Sequence, residues 1–98
     1  MKEKRYLILL DVDARKRHYH ATERGVIVKF SVQLEVNTNE GWREVIRYDC
    51  AHDYADKDCY NINGQRRKIN LYVGFEDALT LADEDINENW EIYLERVS

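Results

Sequence analysis

The spacing of apolar residues changes once along this chain, at Phe75, and that change fixes the kind of fold open to it. Before it, the clearest run is VIVKFSVQLEV (26–36). Val26, Val28, Phe30, Val32, Leu34 and Val36 point one way, and Lys29, Ser31, Gln33 and Glu35 point the other. A period of two with one wet side is a half-buried strand of an antiparallel sheet. After it, apolar side chains fall at Phe75, Leu79, Ala82, Ile86, Trp90, Tyr93 and Val97. Those steps of three and four draw one stripe along a helix of about six turns. Gly74 is an acceptable N-cap, Glu76 and Asp77 suit the positive end of the helix dipole, and Arg96 suits the other.

The remaining segments complete a meander. RYLILLDV (5–12), KRHYHA (16–21), WREVIRYDC (42–50) and RKINLYV (67–73) read as strands, the last with Ile69, Leu71 and Val73 on one face. TERG (22–25) reads as a short hairpin loop with Gly25 in the left-handed position, and NTNEG (37–41) is turn chemistry. NG (63–64) is the strongest hairpin signal and joins a short arm near residues 58–62 to the strand after it. The expectation is an α+β fold, an antiparallel β-meander of four to six strands covered by one long C-terminal helix near residues 75–96. Phe75, Leu79, Ile86 and Trp90 are expected to bury against Phe30, Val32 and Ile69.

Ninety-eight residues leave room for one core, so residues 1–98 are read as a single domain. With no proline and four glycines, linkers and disordered tails are not expected. No apolar run approaches the ~20 residues that span a bilayer. YLILL (6–10), after Lys2, Lys4 and Arg5, is too short for a signal-peptide core, and no small-residue cleavage site follows it. These features point to a cytoplasmic protein without membrane contact, in which Cys50 and Cys59 are free thiols. The net charge of −4 hides a division: residues 1–74 carry fourteen Lys/Arg against eleven Asp/Glu, and residues 75–98 carry one against eight. The overall sign argues against non-specific nucleic-acid binding, while the segregation leaves room for one basic face. ARKRHYH (14–20) and QRRK (65–68) are the densest basic runs, either solvated strand ends and turns or part of such a face.

Chemistry-bearing residues crowd into IRYDCAHDYADKDCYNING (46–64). With Arg47, Tyr48 and Asp49 closing a strand and residues 51–57 leaving the sheet, it reads as a loop holding Asp49, His52, Asp56, Lys57 and Asp58 at close quarters. Acids, a base and a cation together equip a phosphodiester or phosphoryl site. The same aspartates can instead cap turns and bond backbone amides. Four acids repel a phosphate unless a metal intervenes. Asp56-x-Asp58 does not make a calcium loop, because Tyr60 and Asn61 stand where an oxygen ligand and a glycine are needed, and the closing glutamate is missing. Cys50, His52 and Cys59, with His18 or His20, lack the C-x-x-C spacing of structural zinc. No metal and no cofactor is therefore expected. Neither cysteine shows the neighbouring base that an activated thiol needs.

His18 and His20 stand two apart on a strand, so both rings point to one side. With Glu23-Arg24-Gly25 as the loop they lie opposite Phe30 and Val28, on the core side. A one-residue slip moves them into water. The pair fits acid–base chemistry, metal binding, or two hydrogen-bonded histidines near a sheet edge.

RYDCAHDYADKD (47–58), followed by FEDALTLADEDINENWEIYLERV (75–97), resembles a group of small, largely uncharacterised prokaryotic proteins. In these an R-Y-D-x-A-H segment precedes a second histidine-containing step, and the chain ends in an EAL…A…DI…NW helix. More loosely, the pattern is similar to the TumE-type toxins of toxin–antitoxin pairs, where an R-x-D segment, a histidine cluster and a C-terminal helix follow an N-terminal hairpin. Arg47, Asp49 and His52 match the motif; Asp56 stands where the second histidine belongs, and Asp58 where a further polar group belongs. The resemblance implies an RNA-acting toxin with metal-independent, ribonuclease-like chemistry. Arg47 and Lys57 would hold phosphate, His52 with His18 or His20 would transfer protons, and Asp49 would orient Arg47 or His52. The other reading is a non-catalytic interaction or homodimerisation module. Its acidic helix face, with Asp83, Glu84, Glu88, Glu91 and Glu95, fits a basic partner such as a DNA-binding antitoxin. YLILLDV (6–12), an apolar strand unprotected by proline, favours pairing with a second copy.

Overall fold

The computed structural model describes residues 1–50, 53–60 and 65–97, and among these the chain forms six strands and a helix. Strands β1 (Lys2–Asp11), β2 (Ala14–Glu23), β3 (Val26–Thr38), β4 (Gly41–Asp49), β5 (Asp56–Tyr60) and β6 (Arg66–Asn70) lie side by side in chain order. Every neighbouring pair is antiparallel. Helix α1 (Phe75–Val97) returns across one face and packs on β3, flanked by β2 and β4. This is the expected α+β meander with its C-terminal helix. None of the described helical residues forms a helix long and apolar enough to cross a membrane.

The turns follow from local chemistry. Arg24 and Gly25 both have positive φ, 52° and 79°, between paired Glu23 and Val26. Two left-handed central residues make a type I′ turn, whose twist matches the strands it joins. At the next hairpin Thr38 pairs with Gly41, whose φ is 102°. The Thr38 hydroxyl donates to the Gly41 carbonyl at 2.8 Å and accepts from the Glu40 amide at 3.2 Å. The β2–β3 hairpin differs from expectation in two compensating ways. Its loop has two central residues rather than three, and a bulge between Ala21 and Thr22 skips Val28. Each change shifts the register by one; together they shift it by two. His18 therefore pairs with Val32 and His20 with Phe30, and both stay on the core face.

The core lies between α1 and the centre of the sheet. Phe30, Val32 and Leu34 of β3, Ile46 and Tyr48 of β4 and Ala14 of β2 meet Ala78, Ala82 and Ile86 of α1. Phe75 sets its ring edge-on to Phe30, centroids 5.8 Å apart. Leu79, Trp90, Tyr93 and, just beyond β6, Leu71 close the margins. Burying side chains such as Leu34, Ile46 and Ile86 stabilises the fold by roughly 1.5–3 kcal/mol each. Small Ala78 and Ala82 let the helix backbone approach the sheet closely.

Two expectations are corrected here. Residues 51–57 do not all leave the sheet: Asp56 and Lys57 open β5, with Asp56 opposite Asp49 and Lys57 opposite Tyr48. The final strand ends at Asn70 rather than Val73, where Tyr72 turns to a φ of 55° and its amide bonds the Asn70 side chain at 2.9 Å. The Asn63-Gly64 turn lies outside the described residues.

Candidate functional site

Strand alternation sorts the chemistry-bearing residues onto two faces. Tyr48 pairs with Val32 and Lys57, and this row faces α1 together with His18 and His20. Arg47 pairs with Gln33 and Asp58, and Asp49 pairs with Ser31 and Asp56; this row lies on the distal face, away from α1. β6 extends it with Lys68 opposite Asp58 and Asn70 opposite Asp56. Of the residues expected to form one site, the fold therefore brings Arg47, Asp49, Asp56 and Asp58 together. It sets Lys57, His18 and His20 on the other side of the sheet, so Arg47 and Lys57 do not converge on one phosphate. His52 lies outside the described residues.

The distal cluster is buried and short of partners. One carboxylate oxygen each from Asp49, Asp56 and Asp58 lies within 4.8 Å of the others. Asp56 is 0% and Asp58 3% exposed. Among the described residues, Asp49 Oδ1, both Asp56 oxygens and Asp58 Oδ1 receive no hydrogen bond. Cations stand at the edge: Lys68 Nζ is 3.4 Å from Asp56 Oδ2, and Arg47 Nε is 3.6 Å from Asp49 Oδ2 and 2.9 Å from Glu44 Oε1. Burial and the neighbouring Asp49 carboxyl push Asp56 up to about 6, an effect that Lys68 offsets only in part. Past β4 the Asp53 amide donates to the Cys50 carbonyl at 3.1 Å, with Asp53 at a φ of 65°. β5 then pairs back on β4 and sets Asp56 directly against Asp49.

Glu35, on the same face, shows what a satisfied buried acid looks like. Arg15 Nε donates to it at 2.6 Å and Arg17 Nε at 3.0 Å, and Gln33 adds a third donor. Burial pushes the Glu35 carboxyl up, but these donors outweigh it and hold it below its ordinary value. Two arginines of this face lie against aromatic rings, Arg15 over Trp42 at 4.0 Å and Arg5 over Tyr19 at 4.4 Å.

On the helix side polar groups pair with one another, buried His18 Nδ1 excepted. Tyr48 Oη donates to Asp85 Oδ2 at 2.5 Å, Tyr93 Oη at 2.9 Å, and Asn89 Nδ2 donates to Asp85 Oδ1 at 2.9 Å. Lys57 Nζ sits 3.3 Å from Asp85 Oδ2 and donates to Tyr93 Oη at 3.3 Å. Burial and the adjoining Asp85 push the Tyr48 hydroxyl well above its ordinary range. A second set holds β2: Lys16 Nζ donates to Asp83 Oδ1 at 3.1 Å and Asn87 Oδ1 at 3.0 Å. His18 stacks on Tyr6 at 4.2 Å and meets His20 edge-on, with His18 Nε2 and His20 Nδ1 2.6 Å apart. Burial, then the charges of His18 and Lys4, lower the pKa of His20. These groups fasten helix to sheet. Asp83 accordingly does not belong to the wet helix face; it is the counter-ion of buried Lys16.

Sequence reasoning missed Lys68 and Asp85. The signal for Asp83 was Lys16 itself, an even-numbered β2 position opposite Leu34 that must find an acid on the covering helix. Both cysteines are free, as expected. Burial raises the Cys50 thiol, which contacts the Phe30 backbone at 3.4 Å and 3.8 Å, so it is no activated nucleophile.

No curated protein and no solved structure matches the chain. One family model does, over residues 1–97, and the chain belongs to that family, described as Domain of unknown function (DUF7718).

Proposed function

We propose that this protein acts on a phosphate ester, with RNA as the substrate class, at the distal face of the sheet. The observation that carries the reading is the convergence there of Arg47 with Asp49, Asp56 and Asp58, acids that structural hydrogen bonding does not use up. Arg47 and Lys68 offer positive charge to a phosphate, and a planar guanidinium matches its oxygens in pairs. Stacked Arg5–Tyr19 and Arg15–Trp42 give the same face the arginine and aromatic surfaces on which single-stranded bases pack. The looser resemblance of the R-x-D segment and C-terminal helix to TumE-type toxins suits the same reading. In that setting the protein is a cytoplasmic prokaryotic toxin, and the exposed acids Glu84, Glu88, Glu91 and Glu95 of α1 dock a basic antitoxin. The test is incubation of purified protein with end-labelled single-stranded RNA. Cleavage by wild type that is lost in Arg47→Ala and His52→Ala, both still folded, supports the reading; intact RNA with wild type at micromolar concentration overturns it.

A second reading, a homodimerisation module, is favoured by β1. On this edge strand Tyr6, Leu7, Ile8 and Leu9 stand 42%, 46%, 38% and 70% exposed. A long apolar edge without proline is a template for another strand.

A further inference from the structure

We propose that Asp49, Asp56 and Asp58 bind a hard divalent cation of the magnesium and manganese class between β4 and β5. The donor set is all oxygen, which selects such ions over the soft metals that thiolates and imidazoles attract. The geometry fits. Octahedral ligands at about 2.1 Å from an ion lie roughly 3 Å apart when adjacent and roughly 4.2 Å apart when opposite. One oxygen from each aspartate already lies within 4.8 Å of the other two, close to the spacing of three ligands of such an ion, and water would complete the shell.

Crowded acids alone do not make a site. What marks this one is that two of its members are buried and still carry oxygens that accept no hydrogen bond. Asp56 is 0% exposed and Asp58 3%, yet Asp56 Oδ1, Asp56 Oδ2 and Asp58 Oδ1 receive no hydrogen bond among the described residues. Buried polar groups are otherwise paired, and a buried carboxylate without donors is costly. Glu35, buried on the same face, takes donors from Arg15, Arg17 and Gln33, so a buried acid here can be satisfied by its neighbours. Three carboxylates here face Lys68 and Arg47, each at the margin. A divalent ion supplies the missing positive charge. It also relieves the repulsion that three acids exert on an approaching phosphate, so it deepens the phosphate-ester reading, but cation binding does not depend on that reading.

The test uses the full chain, stripped with EDTA and titrated with MnCl2, with bound manganese read from the loss of the free-ion paramagnetic resonance signal. Magnesium and calcium are compared by competition. The expected result is one manganese per chain, displaced by magnesium, and a melting temperature that rises on saturation. Asp56→Asn and Asp58→Asn should weaken binding at least tenfold, while Asp53→Asn, an exposed acid in the adjoining bend, should not change it. Circular dichroism shows whether each variant is folded, and wild-type binding is decisive on its own. No uptake by wild type at millimolar manganese, or equal binding by wild type and both folded asparagine variants, overturns the proposal. Manganese binding with intact RNA sinks the RNA reading alone; RNA cleavage in EDTA without manganese uptake sinks the cation site alone.

Discussion

Asp49 and Asp56 face each other as a directly opposed pair in the β4–β5 ladder, carboxyl against carboxyl, with Asp56 fully buried. Like charges opposite one another destabilise a sheet, and burial magnifies the effect. Replacing one of them with its neutral isostere should therefore stabilise the protein when no cation is present. Asp56→Asn is expected to raise the melting temperature in EDTA at neutral pH. Each kcal/mol gained corresponds to about 4–8 °C for a domain of this size. Calorimetry of wild type and variant checks it, and a lower melting temperature in the variant refutes it.

Asp85 has the opposite character. Burial pushes its carboxyl up, but hydrogen bonds from Tyr48, Asn89 and Tyr93 and the charge of Lys57 outweigh burial and hold it below its ordinary value of 3.8. Its contribution to stability is thus complete above that ordinary value. It is lost as pH falls through the lower, folded value. Asp85→Ala strands Lys57 and two tyrosine hydroxyls between helix and sheet, and should cost about 3 kcal/mol in urea unfolding at neutral pH. Asp85→Asn should flatten the acid limb of the stability profile, so a limb as steep as that of wild type counts against this account.

The fold was legible because apolar spacing reports which side of an element is covered. VIVKFSVQLEV and the stripe from Phe75 each carry that signal over many residues. The histidine face was legible for a subtler reason: the shorter turn and the bulge each moved the register by one, and parity survived. β5 was not legible. In DKDCY the side facing α1 begins with Lys57 and the distal side with Asp56 and Asp58, so burial leaves no apolar trace. Read as a loop, the segment imposed no faces, and Lys57 was grouped with Arg47. Read as a strand, alternation separates them. Arg47 and Asp49 were grouped soundly because residues two apart on a strand share a side. The sheet-bound acids of α1 were hidden because an amphipathic stripe ranks positions by apolarity, and Asp83 and Asp85 are held in place by Lys16, Tyr48 and Lys57 on the sheet.

Strand β1 carries a prediction about assembly. Two copies paired antiparallel through β1, with the two-fold axis at Ile8, place Arg5 opposite Asp11 and Leu7 opposite Leu9. That register matches charge to charge and apolar to apolar, and it continues the sheet across both copies. Light scattering is expected to give twice the mass of 11.8 kDa at tens of micromolar. Leu7→Lys combined with Leu9→Lys should return the protein to monomer without unfolding it, because both side chains already stand in solvent. A wild-type monomer across that range ends the idea.

The sheet as a divider gives the sharpest contrast between variants. Arg47 and Lys57 are both basic, both half-buried and one strand apart, yet they lie on opposite faces. If the distal face is the working surface, Arg47→Ala should lower RNA cleavage by about 10²-fold or more, the scale seen when one preorganised donor to a developing anion is lost. Arg47→Lys should recover little, since an ammonium cannot reproduce a planar fork that bonds two oxygens at once. Stability should fall by less than for Asp85→Ala, because Arg47 lies against Glu44 and Asp49 at the sheet surface rather than beneath the helix. Lys57→Ala should do the reverse. It removes the cation that neutralises Asp85 and the donor to Tyr93, so unfolding should come at markedly lower urea, while cleavage per folded molecule stays near wild type. His18→Ala should follow Lys57→Ala, since its ring packs between Tyr6 and His20 on the same side. Measuring cleavage and urea midpoints on the same preparations separates the two classes. If Lys57→Ala abolishes cleavage in the folded state and Arg47→Ala spares it, the working surface is the helix side and the assignment of the distal face is wrong.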